Sequence, residues 1–216
     1  VNFLLKKNKI LVYSGFGKIN FYKTISIKSE KEESKISATN IIIATGARSR
    51  DIDSLPKDGE KIIGYRKAMI LEKQPKEMII VGSGAIGVEF AYFYNSMGTK
   101  VTLVEYEKNI APIEDKDISK ELSKILKKSG IQILNSSKVV DSKIIGDKVE
   151  VTIESNNKKS ILNGDVVLSA VGIKSNIENI GLEEIGIEVE NDKIKVDEFY
   201  STNIENIYAI GDIVDG

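Results

Sequence analysis

The N-terminal part of the chain alternates between apolar and polar positions, which is typical of β-strands. Residues 9–28 do so around a break at 15–17 and predict two strands, the second over 21–28. The charged segment 29–35 predicts a hairpin tip. The next strand, over 36–45, ends in consecutive isoleucines, and a run that is apolar on both faces predicts a central strand buried on both sides.

The pattern is interrupted over residues 46–76, which are irregular and contain Pro56 and Pro75, two of the three prolines. Such composition is typical of the linkers between domains. We therefore expect a domain boundary in this segment.

Helical periodicity begins after the expected linker. An apolar strand over 78–81 leads into a helix that Gly98 ends, and a second strand follows over 101–105. The residues of this helix that are predicted to face the core are Ile86, Phe90, Phe93, Tyr94 and Met97.

A second helix follows a polar stretch. Asp115 or Asp117 can cap its N-terminus, and Gly130 ends it before a third strand over 131–134. Its predicted core-facing residues are Ile118, Leu122, Ile125 and Leu126.

The pattern returns to alternation after the third strand. Residues 138–162, with turns at 146–147 and 156–157, predict a β-meander, and 165–170 predict a further apolar strand. Two successive β-α-β units and a meander together predict an α/β fold, with a parallel sheet and an antiparallel attachment.

Composition excludes several classes of function. The net charge of −1, with 29% charged and 41% hydrophobic residues, indicates a soluble globular protein without the field that attracts nucleic acid or an anionic membrane. No apolar run approaches the length of roughly 18 residues that a membrane-spanning helix needs. We expect a cytoplasmic protein that has neither nucleic acid nor a membrane as a partner.

The chain contains no cysteine and no histidine. It therefore has no thiol nucleophile, thiolate zinc site, Ser-His-Asp triad or imidazole metal site, and we predict no catalytic residue and no metal site within it. Because the chain begins at Val1 rather than Met, we expect a fragment of a longer protein. Any chemistry would then come from a bound cofactor or from residues elsewhere in that protein.

A glycine-rich loop, Gly82-x-Gly84-x-x-Gly87, joins the strand at 78–81 to the first helix. Gly82 permits a tight turn, Gly84 lets a pyrophosphate approach the backbone, and Gly87 lets the helix pack closely on the strand. The N–H groups and the dipole of the helix N-terminus favour phosphate. This context favours a dinucleotide site over the alternative, a tight turn without a ligand.

Glu105 ends the second strand, 23 residues after Gly82, where an acidic side chain can accept hydrogen bonds from the adenosine ribose. A carboxylate there repels a 2′-phosphate, and residues 106–109 contain one lysine and no arginine to bind one. The pattern therefore predicts NAD rather than NADP. The alternative is an exposed glutamate at a strand end, with no ligand.

Four segments occur in the order typical of one protein family, namely 40–46 (Asn-Ile-Ile-Ile-Ala-Thr-Gly), 82–91, 169–172 (Ser-Ala-Val-Gly) and 202–212. On these segments essentially the whole chain resembles the flavoprotein pyridine-nucleotide disulfide oxidoreductases, and most of all their dihydrolipoyl dehydrogenase members. The resemblance implies a Rossmann-like, three-layer ββα NAD-binding domain over 70–172. The flanking segments, 1–69 with its linker and 173–216, would be pieces of an FAD-binding domain.

The resemblance also implies which residues contact each cofactor. Those implied for NAD are Gly82, Ser83, Gly84, Ala85, Ile86, Gly87, Glu89, Glu105, Val139, Ala170, Val171 and Gly172. Those implied for FAD are Gly17, Ala44, Thr45, Gly46, Gly211 and Asp212. Glu89 resembles a glutamate that reaches toward the nicotinamide, and its alternative is an ordinary glutamate on a helix surface. Asp212 resembles a residue that hydrogen-bonds the ribityl chain, and its alternative is a turn-forming aspartate.

The implied function is that of the central fragment of an NAD- and FAD-dependent dihydrolipoyl dehydrogenase. Such an enzyme, a homodimer, reoxidises the dihydrolipoyl groups that lipoyl domains carry in 2-oxo acid dehydrogenase complexes. One alternative is another NADH-dependent flavoprotein reductase, of the disulfide, mercuric or ferredoxin reductase type. The other is a non-catalytic nucleotide-binding module.

The chain also departs from the family pattern. It lacks the N-terminal segment with the redox-active cysteine pair and the C-terminal His-Glu pair, so the fragment alone is expected to be inactive and to bind FAD poorly. Ile173 stands after Gly172, where many members have arginine, which leaves a backbone contact at that edge.

Overall fold

The computed structural model describes residues 1–215, and Gly216, the last residue of the predicted C-terminal segment, lies outside the described residues. The helices are α1 (Asn2–Lys7), α2 (Tyr65–Ala68), α3 (Ala85–Ser96), α4 (Lys116–Lys128) and α5 (Leu182–Ile185). The strands are β1 (Phe16–Asn20), β2 (Thr24–Lys28), β3 (Glu33–Ser37), β4 (Ile41–Ile43), β5 (Ala47–Ser49), β6 (Ile62–Ile63), β7 (Glu77–Val81), β8 (Lys100–Val104), β9 (Gln132–Leu134), β10 (Lys138–Ile145), β11 (Lys148–Ser155), β12 (Lys158–Gly164), β13 (Val166–Ser169), β14 (Ile173–Ser175), β15 (Val189–Glu190), β16 (Lys193–Ile194) and β17 (Ile207–Ala209). Among the described residues, no helix has the length and apolar character needed to cross a membrane.

The chain divides into two compact units. The first unit contains Val1–Arg48 together with the chain from Lys174 onward, and the second unit is the continuous stretch Ser49–Ile173. The chain passes between the units in β5 and again in β14.

The first boundary lies earlier than the sequence predicts. Residues 49–69, expected to belong with the first segment as a linker, fold with the second unit. β6 pairs in parallel with β13, and Leu55 and Ile62 are buried in the same cluster as Val167 of that strand. The prolines and charges of this segment concealed a short buried strand.

The second unit is built on a sheet of five described strands in the order β6-β13-β7-β8-β9, and all of its pairs are parallel. Successive residues of a strand face opposite layers. Met78 and Ile80 therefore pack with residues of α3 and α4, whereas Ile79 and Val81 pack with buried valines of β11. The sheet lies between a helical layer and an antiparallel layer, which confirms the predicted α/β fold with its three layers.

The antiparallel layer is the predicted meander. β10, β11 and β12 pair in order, and the turns fall at 146–147 and 156–157 as predicted. Asn156 and Asn157 both have positive φ, 50° and 59°, which two-residue hairpin turns favour.

The core-facing side of α3 differs from the prediction. Its buried residues are Gly87, Ala91 and Tyr94, whereas Phe93 and Met97 are exposed. Gly98 does end the helix, with φ of +95°. Tyr94 is buried as predicted, and the small residues Gly87 and Ala91 complete the buried side while the two larger residues remain in solvent.

α4 follows the prediction at its ends and on part of its face, where Leu122 and Leu126 pack into the core. Asp115 caps it by accepting hydrogen bonds from backbone N–H groups of the first turn, and Gly130 follows its end with φ of +100°. Ile118 and Ile125 are exposed and Leu126 is buried. The buried stripe is narrow because α4 packs on β9, a strand at the edge of the sheet.

The first unit contains the antiparallel sheet β1-β2-β3 and the parallel pair β4 and β17. Ile43 and Ala209, which are partners across the parallel pair, are buried in the same cluster as Ile19 of β1. This cluster is the core of the first unit.

The N-terminal region departs most from the prediction. Residues 10–14 form no strand, and α1, which precedes them, has no buried residue. β1 begins inside the predicted break, β2 begins after a 3-10 turn at Phe21–Lys23, and the hairpin tip shortens to 29–32. Without a partner strand or a buried face among the described residues, alternation alone does not make a strand.

The predicted central strand over 36–45 is two strands, β3 and β4. Ile42, in the middle of β4, is 63% exposed, which contradicts burial on both faces. Its neighbours Ile41 and Ile43 are buried. β4 has one face in the core and, among the described residues, one partner strand, so Ile42 on its other face meets solvent.

Candidate functional site

A cleft of about 890 Å³ opens in the second unit at the carboxyl ends of β13, β7 and β8. Ligands of open parallel sheets bind at this edge. Residues 170–172 follow β13, 82–86 follow β7 and 105–107 follow β8, and all of them line the cleft. Other lining residues come from neighbouring segments, namely Arg50, Ile52, Ser54, Val81, Val104, Pro112, Ile113, Ser137, Lys138, Val139 and Ile173.

The three glycines of the loop have different surroundings. Gly82 has φ of +97°, and a Cβ there would lie 2.3 Å from the Ala170 carbonyl oxygen. A Cβ on Gly87 would lie 1.9 Å from the Gly82 carbonyl oxygen. A Cβ on Gly84 would meet nothing within 4 Å. Packing therefore requires glycine at the first and third positions, whereas Gly84 borders open space in the cleft.

α3 begins at this open space. Gly84 is its N-cap residue, no side chain bonds the first turn, and that turn contains no acidic residue. The first N–H groups of a helix have no intrahelical acceptor, and the helix dipole adds partial positive charge. Gly84 has no side chain to obstruct a pyrophosphate, and the unbonded N–H groups at the start of α3 can donate hydrogen bonds to it.

Glu105 is buried, with 7% of its surface exposed, and its carboxylate is hydrogen-bonded within the protein. Oε2 accepts the Ser83 N–H at 2.7 Å and the Ser83 hydroxyl at 2.5 Å, and Oε1 accepts the Glu107 N–H at 2.8 Å. The alternative of an exposed glutamate at a strand end is therefore wrong. A carboxylate can accept about four hydrogen bonds, so Oε1 keeps one acceptor position that these bonds leave unused.

Ser83 has a role that the sequence does not indicate. It is fully buried, and its carbonyl oxygen accepts the Ala111 N–H at 2.8 Å. Together with its two bonds to Glu105, this contact fixes the loop in front of α3. Any residue at the second position of a glycine loop fits the sequence motif, so the motif carries no signal for this hydroxyl.

The structure brings most of the residues predicted for NAD into one cleft. Val139, 6% exposed, lies in its wall, as do Ala170, Val171 and Gly172. Gly87 lies behind the loop and does not line the cleft. Glu89 is exposed on α3 and also lies outside the lining.

The residues predicted for FAD lie in the first unit. Ala44, Thr45 and Gly46 follow β4, and Gly211 and Asp212 follow its parallel partner β17 at the same edge. The Ile210 N–H donates to the Ile43 carbonyl oxygen at 3.0 Å, which holds the two segments together. Gly17 is on β1, in the other sheet of this unit.

A family model matches residues 1–216 of the chain, and its description is pyridine nucleotide-disulphide oxidoreductase. The chain belongs to this family. The predicted resemblance is therefore confirmed.

Curated relatives in this family cover nearly all of the chain. It is 38% identical to a dihydrolipoyl dehydrogenase of Zymomonas mobilis, over 99% of the chain and 46% of the relative. It is 37% identical to a dihydrolipoyl dehydrogenase of Bacillus subtilis, over 100% of the chain and 48% of the relative. The chain thus spans about half the length of these relatives.

Solved structures, among them a flavoprotein disulfide reductase, have the same fold. LpdA from Mycobacterium tuberculosis matches with a TM-score of 0.88 at 27% identity, over 99% of the chain and 48% of that protein. The HOCl-induced flavoprotein disulfide reductase RclA from Escherichia coli matches with a TM-score of 0.85 at 27% identity, over 100% of the chain and 50% of that protein. The predicted cofactor classes, a pyridine nucleotide and a flavin, are those of the pyridine nucleotide-disulphide oxidoreductases.

Sequence reasoning missed several lining residues of this family member. Arg50 comes from the segment interpreted as a linker, and Ser137 and Lys138 precede and begin β10. Arg50 reaches the cleft because its N–H donates to the Gly172 carbonyl oxygen at 3.0 Å. A contact between residues so distant in the chain has no local signal.

Proposed function

We propose that the cleft of the second unit binds NAD. The open space at Gly84 beside the N-terminus of α3 is the observation that carries this proposal. The pyrophosphate would lie against residues 82–86, and the ribose of adenosine would donate to the remaining acceptor position of Glu105. Val139 would lie beside the adenine, and the backbone of 170–172 beside the nicotinamide half. Bound NAD accepts a hydride, and these residues position it.

Glu105 and Glu107 favour NAD over NADP. Both line the cleft, and the carboxylate of Glu105 is held in place by two hydrogen bonds that it accepts from Ser83. A 2′-phosphate on the same ribose would face these carboxylates, and residues 106–109 offer Lys108 but no arginine to compensate.

The test is a fluorescence titration of the 216-residue chain with NADH and NADPH. We expect NADH to bind at least about tenfold more tightly, a difference of about 1.4 kcal/mol. Gly84→Val should abolish NADH binding and keep the thermal unfolding temperature, since its Cβ enters open space. Gly146→Asn, in a turn of the meander outside the cleft, is the control and should bind like the parent. Equal or tighter NADPH binding would refute the NAD assignment.

For the whole protein we propose the activity of an NAD- and FAD-dependent dihydrolipoyl dehydrogenase. Support comes from the curated relatives of that name at 35–38% identity. It would act in the cytoplasm as a homodimer on lipoyl domains of 2-oxo acid dehydrogenase complexes. Asp212 and residues 44–46 would contact the FAD, Gly17 and Gly211 would lie beside it, and Glu89 would approach the nicotinamide. The chain alone, without cysteine or histidine, would not exchange electrons with a dithiol.

The second candidate is another flavoprotein disulfide reductase, which the fold match to RclA favours. The whole protein separates the two candidates. A dihydrolipoyl dehydrogenase should reduce NAD with dihydrolipoamide as the electron donor, and this rate should exceed the rates of NADH oxidation by other disulfides. The reverse order of rates would favour the second candidate. NADH binding with neither activity would indicate a nucleotide-binding module.

A further inference from the structure

Arg50 is an arginine side chain in the NAD cleft that the proposed binding mode leaves unused. Its backbone is held at both ends, because its N–H donates to the Gly172 carbonyl oxygen at 3.0 Å and its own carbonyl oxygen accepts Lys57 Nζ at 3.3 Å. Lys57 is in turn paired with Asp51 at 2.7 Å. The start of the Arg50 side chain is therefore fixed at the edge of the cleft.

The guanidinium of Arg50 has no hydrogen-bond or ion-pair partner within residues 1–215. Arg48, two residues earlier, differs in this respect because it bonds both carboxylate oxygens of Glu178. The nearby acid Asp51 is already paired with Lys57. A planar cation with five N–H donors thus lines a cleft in which Glu105 is satisfied by internal donors.

Arg50 and Glu105 lie on opposite sides of the glycine loop. Glu105 follows β8, Arg50 is bonded to the segment after β13, and β7 with its loop lies between these strands. Neighbouring strands are about 4.8 Å apart, so the ends of β8 and β13 are separated by about 10 Å. A dinucleotide with its adenosine at Glu105 and its pyrophosphate at Gly84 would extend toward Arg50.

We propose that Arg50 binds the phosphate on the nicotinamide side of the pyrophosphate. The N-terminus of α3, next to the loop, supplies backbone N–H donors. Arg50 supplies a full positive charge and two parallel N–H donors that can bond two phosphate oxygens at once. This inference rests on the proposed NAD site. It makes Arg50 a binding residue from outside the glycine-loop motif.

The experiment compares three ligands that share adenosine. NADH and ADP-ribose contain both phosphates, ADP-ribose lacks the nicotinamide, and AMP lacks the second phosphate. Arg50→Gln in the 216-residue chain should lower the affinities for NADH and for ADP-ribose by about tenfold each, because hydrogen bonds between charged groups are stronger than those between neutral groups. The affinity for AMP should fall by less than about twofold. Arg50→Lys, which keeps the charge but not the two-pronged geometry, should fall between the parent and Arg50→Gln.

Lys73→Gln, which removes one charge from an exposed position outside the cleft, is the control and should leave all three affinities unchanged. An equal loss of affinity for AMP would show a general electrostatic or folding effect. A loss of affinity for NADH alone would place Arg50 at the nicotinamide. Either result overturns the inference, as does unchanged binding by Arg50→Gln. Failure of the parent chain to bind NADH would instead overturn the proposed function itself, and this inference with it.

Discussion

The two units use the same kind of strand but bury it to different depths. Ile80, near the centre of β7, has 0% of its surface exposed, and Ile42, at the centre of β4, has 63%. β7 lies between two parallel neighbours and between two layers, whereas β4 pairs, among the described residues, with β17 and has one covered face. An apolar run therefore specifies a strand, and the number of layers around it decides how much of it is buried.

One glycine in each unit should be sensitive to substitution, with effects among the largest expected. A Cβ on Gly181 would lie 2.0 Å from the Ile19 carbonyl oxygen, much like the 1.9 Å contact predicted for Gly87. Backbone atoms cannot move aside without disturbing the fold. Gly87→Ala should therefore lower the free energy of unfolding of the second unit by about 3 kcal/mol, and Gly181→Ala that of the first unit by a similar amount.

Hydrogen exchange, measured peptide by peptide, shows which unit has lost stability in each variant. Exchange should accelerate in 49–173 for Gly87→Ala, and in 1–48 and the chain after 174 for Gly181→Ala. Gly84→Ala is the stability control, because its Cβ has no neighbour within 4 Å. If Gly87→Ala is as stable as Gly84→Ala, close packing is not what requires the glycine.

A pair of isoleucines tests the difference in burial directly. Ile80→Ala should destabilise the second unit by about 2–5 kcal/mol, because it leaves a cavity in a closed core. Ile42→Ala should change the first unit by less than about 0.5 kcal/mol. Denaturant unfolding curves give both values. A large loss for Ile42→Ala would mean that its face is covered in solution, and sedimentation would then show whether a second copy covers it.

The smallest effect concerns acid stability. Hydrogen bonds from Arg48 and from Lys174 lower the pKa of Glu178 in the first unit far below its usual value of 4.5, and those from Lys148 and Lys100 lower the pKa of Glu77 in the second. A carboxyl whose pKa is lowered by folding stabilises the folded state when the pH is above its pKa in the unfolded chain. This stabilisation decreases as the pH falls below about 4.5. Both pairs are partly exposed, so each contributes less than about 1 kcal/mol.

Glu178→Gln and Glu77→Gln should each flatten the acid side of the stability profile of one unit. The measurement is urea unfolding at several pH values between 3 and 7, with the signal assigned to units by exchange. At pH 7 each variant should be slightly less stable than the parent, and this difference in the free energy of unfolding should become smaller as the pH falls from about 4.5 toward 3. A variant that follows the parent over the whole range would show that solvent screens the pair completely.

In the second unit, the sequence predicts the ends of the helices and the turns of the meander better than it predicts the buried faces of the helices. Asp115, Gly98 and the asparagines of the meander turns act within a few residues, so their signals are local and the predictions hold. The large residues of α3 predict its core face, but close packing at Gly87 buries Gly87 and Ala91 together with Tyr94 and leaves Phe93 and Met97 exposed.

The candidate site shows the same limit. The glycine loop and Glu105 are recognisable because their spacing reflects one strand-helix-strand unit. The hydroxyl of Ser83 bonds a residue 22 positions away and the Arg50 N–H bonds one that is more than a hundred positions away, so no local periodicity indicates either contact. The composition of residues 49–69 hides β6 for the same reason, since its partner β13 is a hundred residues away.

The bond between the Arg50 N–H and the Gly172 carbonyl oxygen also brings together the two ends of the second unit. A domain whose two ends lie close together can be inserted into, or removed from, another chain as one piece. Ser49–Ile173 can be circularly permuted, with its old ends joined by a short linker and new ends opened in the turn at 146–147. The same geometry predicts that the second unit can be exchanged between related proteins at two splice points, one in β5 and one in β14.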